Sequence, residues 1–128
     1  MPALEPLRRV AGMRVVAAPA ALDAARWTGD GVLVLRLAPD EALALGATAV
    51  DIDDTDEHAI VEHEAGFMAA PVDLATVTAH IEWSLPTDRP ALAQGSIAGV
   101  PARLWLTVDG ATLVVHLAYA ADLQDRLG

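Results

Sequence analysis

The alternation of apolar and polar positions is clearest from Arg89 to Leu127. It predicts a strand, a tight bend at Gly99-Val100-Pro101, a second strand over residues 102–108, an Asp109-Gly110 turn, a third strand over 112–117 and a closing helix over 119–127. Asp-Gly between two branched, apolar runs is a hairpin signal, because Gly accepts the positive φ of a turn whose twist matches its strands. Upstream, Asp73 is placed to cap a helix over 74–85. In that helix Leu74, Val77, Ile81 and Leu85 recur at steps of three and four and make one apolar stripe. Pro86 and Pro90 end it.

The first half is patterned less regularly. Residues 1–12 read as an extended lead-in and 14–17 as a short strand. Pro19 sits where a first helical turn tolerates it, ahead of good helix formers over 20–27. Thr28-Gly29-Asp30-Gly31 reads as a turn and the branched run 32–37 as a strand. Pro39-Asp40-Glu41 opens a short helix with acids near its positive end, closed by Gly46. A weaker strand follows over 47–52, then an acidic turn over 51–57, and a strand over 59–64 that Gly66 breaks. The order of elements predicts an α+β fold in a single domain, 1–128. Its form is a two-layer sandwich, a mainly antiparallel sheet with helices packed on one face.

Composition narrows the chemistry. At 128 residues, with 54% apolar and 20% charged, the chain can bury a core without staples. With no Cys there is neither disulfide nor thiolate nucleophile. All eight basic residues are Arg, so Lys Schiff-base chemistry and the P-loop phosphate grip are absent. A net charge of −10 argues against nucleic acid and against anionic membrane surfaces. Arg14 and Asp23 interrupt the apolar start, so no export signal is expected; no apolar run reaches a membrane-spanning length, and the expected location is cytoplasmic.

One cluster has the donors for a metal, running from Asp51 through Asp53, Asp54, Asp56, Glu57, His58, Glu62 and His63 to Glu64. Asp51, Asp53 and Glu62 fall at the first, third and twelfth positions of a calcium loop, but Asp56 occupies the sixth, where the sharp bend needs Gly. A zinc reading would use His58 and His63, but a five-residue step on a strand or loop gives the two rings no fixed common direction. The stretch reads as solvated surface, and no cofactor is expected. Ser84 and Ser96 are the only serines and neither lies in a nucleophile elbow. His80 and Glu82 do not share a helix face, and His116 reads as an ordinary strand histidine. Trp105 reads as core mass, whereas Trp83 falls off the 74/77/81 stripe and is the candidate interface residue.

Ala93-Gln94, Ile97-Ala98-Gly99-Val100-Pro101, Leu104-Trp105, Asp109-Gly110 and Tyr119-Ala120 follow one another in an order similar to that of a known family. The block resembles the corresponding end of the gamma subunit of heterotetrameric sarcosine oxidase, over about a third of the chain. Arg36-Leu37-Ala38-Pro39-Asp40-Glu41 is a second similar piece, whereas 51–70 departs from the pattern and the chain is shorter than is usual in that family. The resemblance implies a fold similar to half of the folate-binding aminomethyltransferase domain. It also implies a structural role, since flavin and folate sites belong to other subunits, so it brings no catalytic residue. The leading expectation is therefore a non-catalytic association domain, a homo-oligomer (a dimer first) or an accessory subunit of an amine-oxidising flavoenzyme. Ala/Val-rich strands would leave an edge or apolar face to be covered. The alternative is a small-molecule binder or enzyme with a folate-like ligand, whose carboxylates Arg36 and Arg103 would receive.

Overall fold

The computed structural model describes residues 6–52 and 59–128. Among these residues seven strands and three helices follow in the order β1 (Arg8–Val16), α1 (Pro19–Ala24), β2 (Arg26–Ala38), β3 (Glu41–Asp51), β4 (Ile60–Val72), α2 (Leu74–Thr78), β5 (Ala91–Ile97), β6 (Val100–Leu106), β7 (Ala111–His116) and α3 (Leu117–Leu127). Every strand pair with a described register is antiparallel. The fold is thus α+β with a mainly antiparallel sheet. The chain divides into two compact units, Val10–Ala65 and the remainder, Met1–Arg9 with Gly66–Gly128.

In the unit Val10–Ala65, β3 is the middle strand, paired with β2 on one side and β1 on the other. Ala42, Leu43, Ala44 and Leu45 are all buried, so the strand is covered on both faces as well. That environment overturns the helix expected from Pro39 to Gly46. The Glu-Ala-Leu-Ala-Leu run has good helix propensity, but two flanking strands and burial all round outweigh a preference of a few tenths of a kcal/mol per residue. Pro39-Asp40 instead form the two-residue reversal between Ala38 and Glu41, and the Asp40 carbonyl accepts the Ala17 N–H at 3.0 Å.

The turn expected at Thr28–Gly31 is also absent. β2 runs straight through it, and the register slips there: Thr28 faces Ala49, Gly29 faces Ala47 and Leu33 faces Leu45. Gly29, Gly31 and Gly46 take positive φ at this bulge, which kinks the strand without ending it. Gly66 likewise does not break β4, which continues to Val72. The expected helix over 20–27 is shorter and begins on Pro19, and the strand expected over 14–17 starts at Arg8.

In the other unit the strands pair in the order β4-β7-β6-β5. Val100, Ala102, Leu104 and Leu106 of β6 alternate into a core they share with Val77, Ile97, Leu113, Val115 and, from α3, Ala120, Leu123 and Leu127. Burying this many aliphatic side chains, at ~1.5–3 kcal/mol for each large one, is the main stabilising term. The Asp73 carboxylate accepts the Ala75 N–H, as expected of a cap, yet α2 ends after Thr78. The stripe outlasts the helix: Leu74 packs on the core from α2, and Ile81 and Leu85 pack on it from the irregular chain beyond. Thr76, Val77 and Thr78 are β-branched and weaken the helix. Beyond it the His80 carbonyl accepts the Ala98 N–H at 2.9 Å, which holds the segment against the β5–β6 hairpin.

Candidate binding groove

The alternation that sends Leu104 and Leu106 into the core turns Arg103 and Trp105 to the opposite face of β6. Trp105 is thus half-buried beside Leu92 and Thr112 and is not part of the main core, contrary to expectation. Gln94, Arg103 and Val114 form one row across β5, β6 and β7, and Phe67 faces His116 across β4 and β7. These side chains, with Ser96, Pro101 and Tyr119, line an open groove of about 600 Å³ that lies wholly within the unit containing Gly66–Gly128.

Arg103 is held on two sides. Its Nε donates to Gln94 Oε1 at 2.9 Å, and its guanidinium lies 5.8 Å from the centroid of the Phe67 ring. A guanidinium over an aromatic face is attracted by the ring quadrupole. Among the described residues no carboxylate pairs with it, whereas Arg14 lies 2.5 Å from Glu41 and 3.5 Å from Glu62, and Arg36 is paired with Asp23. Among the described residues, none that lines the groove is acidic.

An aromatic rim continues from Phe67. His116 meets its ring edge-on at 5.6 Å and 76°, and Tyr119 meets His116 at 6.2 Å and 62°. His116 also caps α3, its Nδ1 accepting the Ala118 N–H at 3.1 Å. With Nδ1 an acceptor, the neutral ring carries its proton on Nε2. This cap escapes a sequence reading because His is not among the usual capping residues; its position directly before the helix was the available signal.

The expected site residues separate. Arg103 lies in the groove; Arg36 does not line it, its guanidinium being engaged by Asp23 and by the Pro39 carbonyl at 2.8 Å. Asp51 is exposed at the end of β3 opposite Arg26, Glu62 neighbours Arg14, and His63 is exposed on β4. Asp53 and His58, with Asp54, Asp56 and Glu57, lie outside the described residues. Among the described residues no three His, Asp or Glu side chains come close enough to share a metal ion. Neither serine hydroxyl is hydrogen-bonded to a histidine among those residues either.

Trp83 is half-buried and packs against the core, its Nε1 donating to the Ser96 carbonyl at 2.8 Å. The indole lies directly on Gly95, where an added Cβ would stand 2.6 Å from it. This hydrogen bond and the one from Ala98 to His80 occupy the outer side of β5 near its end, which closes that stretch to strand addition. No helix among the described residues is long and apolar enough to cross a membrane. No family model and no curated protein matches the chain.

Proposed function

We propose that the chain is a non-catalytic association domain that acts by protein contact, as a symmetric dimer or as an accessory subunit of an amine-oxidising flavoenzyme. The observation that carries this reading is the apolar surface at the start of α3, where Leu117 and Tyr119 are 40% and 44% exposed beside the aromatic rim. Aromatic anchors next to a depression are the usual core of a protein contact. The order of the C-terminal block, similar to that of sarcosine oxidase gamma subunits, supports the accessory role, and a cytoplasmic location belongs to the same proposal. So does a two-layer arrangement in which the helices cover one face of the sheet and leave the other for contact.

Light scattering on the purified protein, alone and mixed with the large subunits of such a flavoenzyme, tests it. A mass above 13.3 kDa for the protein alone, or a complex heavier than the large subunits by themselves in the mixture, supports association, and Leu117→Asp with Tyr119→Ser should lower it. A 13.3 kDa particle alone, with the large subunits keeping their own mass in the mixture, removes the proposal.

One observation favours a second reading, a small-molecule binder. Arg103 is a positioned cation with no acidic partner among the described residues, in a groove of ligand size. The folate-like ligand considered for this reading would meet Arg103 and not Arg36 in that groove.

A further inference from the structure

Of the chain's surface features, the groove between the outer face of β6 and the start of α3 carries an inference furthest. It rests on the second reading above. We infer that the groove binds a small organic monoanion with a flat aromatic body, an arylcarboxylate, and that Arg103 receives the carboxylate.

Three features select this class. First, Arg103 presents a fork that is already oriented. Its Nε is occupied by Gln94 and its plane is steadied against Phe67, which leaves the terminal nitrogens as the donors a planar carboxylate meets two at a time. A guanidinium fixed before binding loses less side-chain freedom on binding. Second, among the described residues no other charged side chain lines the groove, so its polarity matches one negative charge and not the several of a phosphate ester. The missing acids matter equally, because a carboxylate in the lining would pair with Arg103 and repel the ligand. Third, the walls are apolar and aromatic. The rings of His116 and Tyr119 continue the rim that Phe67 begins, and Val114 lies between Arg103 and His116 on the floor. An aromatic body stacks or packs edge-on against such rings, and the volume of about 600 Å³ has room for a bicyclic one. The imidazole Nε2–H of His116 and the Tyr119 hydroxyl can meet a second polar group on the ligand.

Isothermal titration of the whole chain with 2-naphthoate, 2-naphthalenemethanol and inorganic phosphate tests the class without any variant. The expected result is saturable binding of 2-naphthoate, at least about tenfold tighter than the neutral alcohol, with no heat from phosphate. Arg103→Gln should weaken 2-naphthoate by about tenfold or more, and Arg36→Gln should leave it unchanged. Circular dichroism checks that both variants are folded. Equal binding of acid and alcohol, or binding that survives Arg103→Gln, would overturn the assignment of charge while leaving a ligand groove. Phosphate binding more tightly than 2-naphthoate would overturn the class. Silence from all three probes would overturn the small-molecule reading itself, and the light-scattering result would stand apart from it.

Discussion

The hairpins β2–β3 and β5–β6 reverse the chain in different ways. In β5–β6 seven residue pairs run in unbroken register from Ala91–Leu106 to Ile97–Val100, and the irregular backbone is confined to the two-residue loop. There Ala98 and Gly99 both have positive φ, 51° and 81°, the pattern of a type I′ turn. In β2–β3 the loop is Pro39-Asp40, and the positive φ values fall in mid-strand at Gly29, Gly31 and Gly46. The same residue type thus marks the end of a strand in one hairpin and a bulge inside a strand in the other. What differs is the support. Backbone meets backbone at the bulge, whereas side chains tie down the β5–β6 tip: Trp83 lies on Gly95, and Arg126 donates to the Ala98 carbonyl at 2.7 Å.

That contrast breaks first at Gly29. A Cβ there would stand 2.2 Å from the Gly46 carbonyl oxygen, and the φ of 153° is one that L side chains rarely adopt. Gly29→Ala should therefore cost roughly 3 kcal/mol or more in urea unfolding, strain and overpacking together. Gly31 has positive φ but open space around its Cβ position, so Gly31→Ala should cost about 1–2 kcal/mol, the conformational part alone. Equal losses at the two sites would contradict the close approach of backbone at the bulge.

Trp83→Ala comes next, at about 2–3 kcal/mol, less than a fully buried Trp because the indole is half-buried. Arg126→Ala, which removes one exposed hydrogen bond at the β5–β6 tip, should cost about 1 kcal/mol or less. Ala98→Asn is the smallest effect and has the opposite sign. Asn tolerates positive φ better than Ala, so a gain of roughly 0.5 kcal/mol is expected. A loss at Ala98→Asn would mean that the tip is held by Ala98's packing and not by its turn conformation.

Where the backbone follows local rules, the sequence was readable. The C-terminal block from Ala91 to Leu127, the Asp73 cap and the apolar stripe of residues 74–85 all have counterparts in the structure. The details moved by a residue wherever hydrogen bonding chose between neighbouring registers. Thr107 and Gly110 exchange backbone hydrogen bonds of 2.8 and 3.4 Å around Val108-Asp109, so Gly110 stands just outside the loop that Asp109-Gly110 was expected to form. The bend expected at Gly99-Val100-Pro101 is centred on Ala98-Gly99 for the same reason.

Long-range pairing overrode local preference elsewhere. Glu41–Leu45 prefers a helix in isolation and becomes the centre of a three-stranded array only because β1 and β2 flank it. Of the groove, Arg103 alone was legible as a candidate. Its partners Phe67, Gln94, His116 and Tyr119 come from three other strands and a helix start, and nothing in their spacing along the chain announces that β4, β5 and β7 bring them together.

The central claim is that this chain works by contact with another protein and not by catalysis. Light scattering across a hundredfold range of concentration, with and without the flavoenzyme subunits, tests it most directly. A mass that rises above 13.3 kDa for the protein alone, or above that of the subunits by themselves in the mixture, and falls back when Leu117 and Tyr119 are made polar, is the predicted result. A particle of 13.3 kDa at every concentration, with the flavoenzyme subunits keeping their own mass in the mixture, would contradict it.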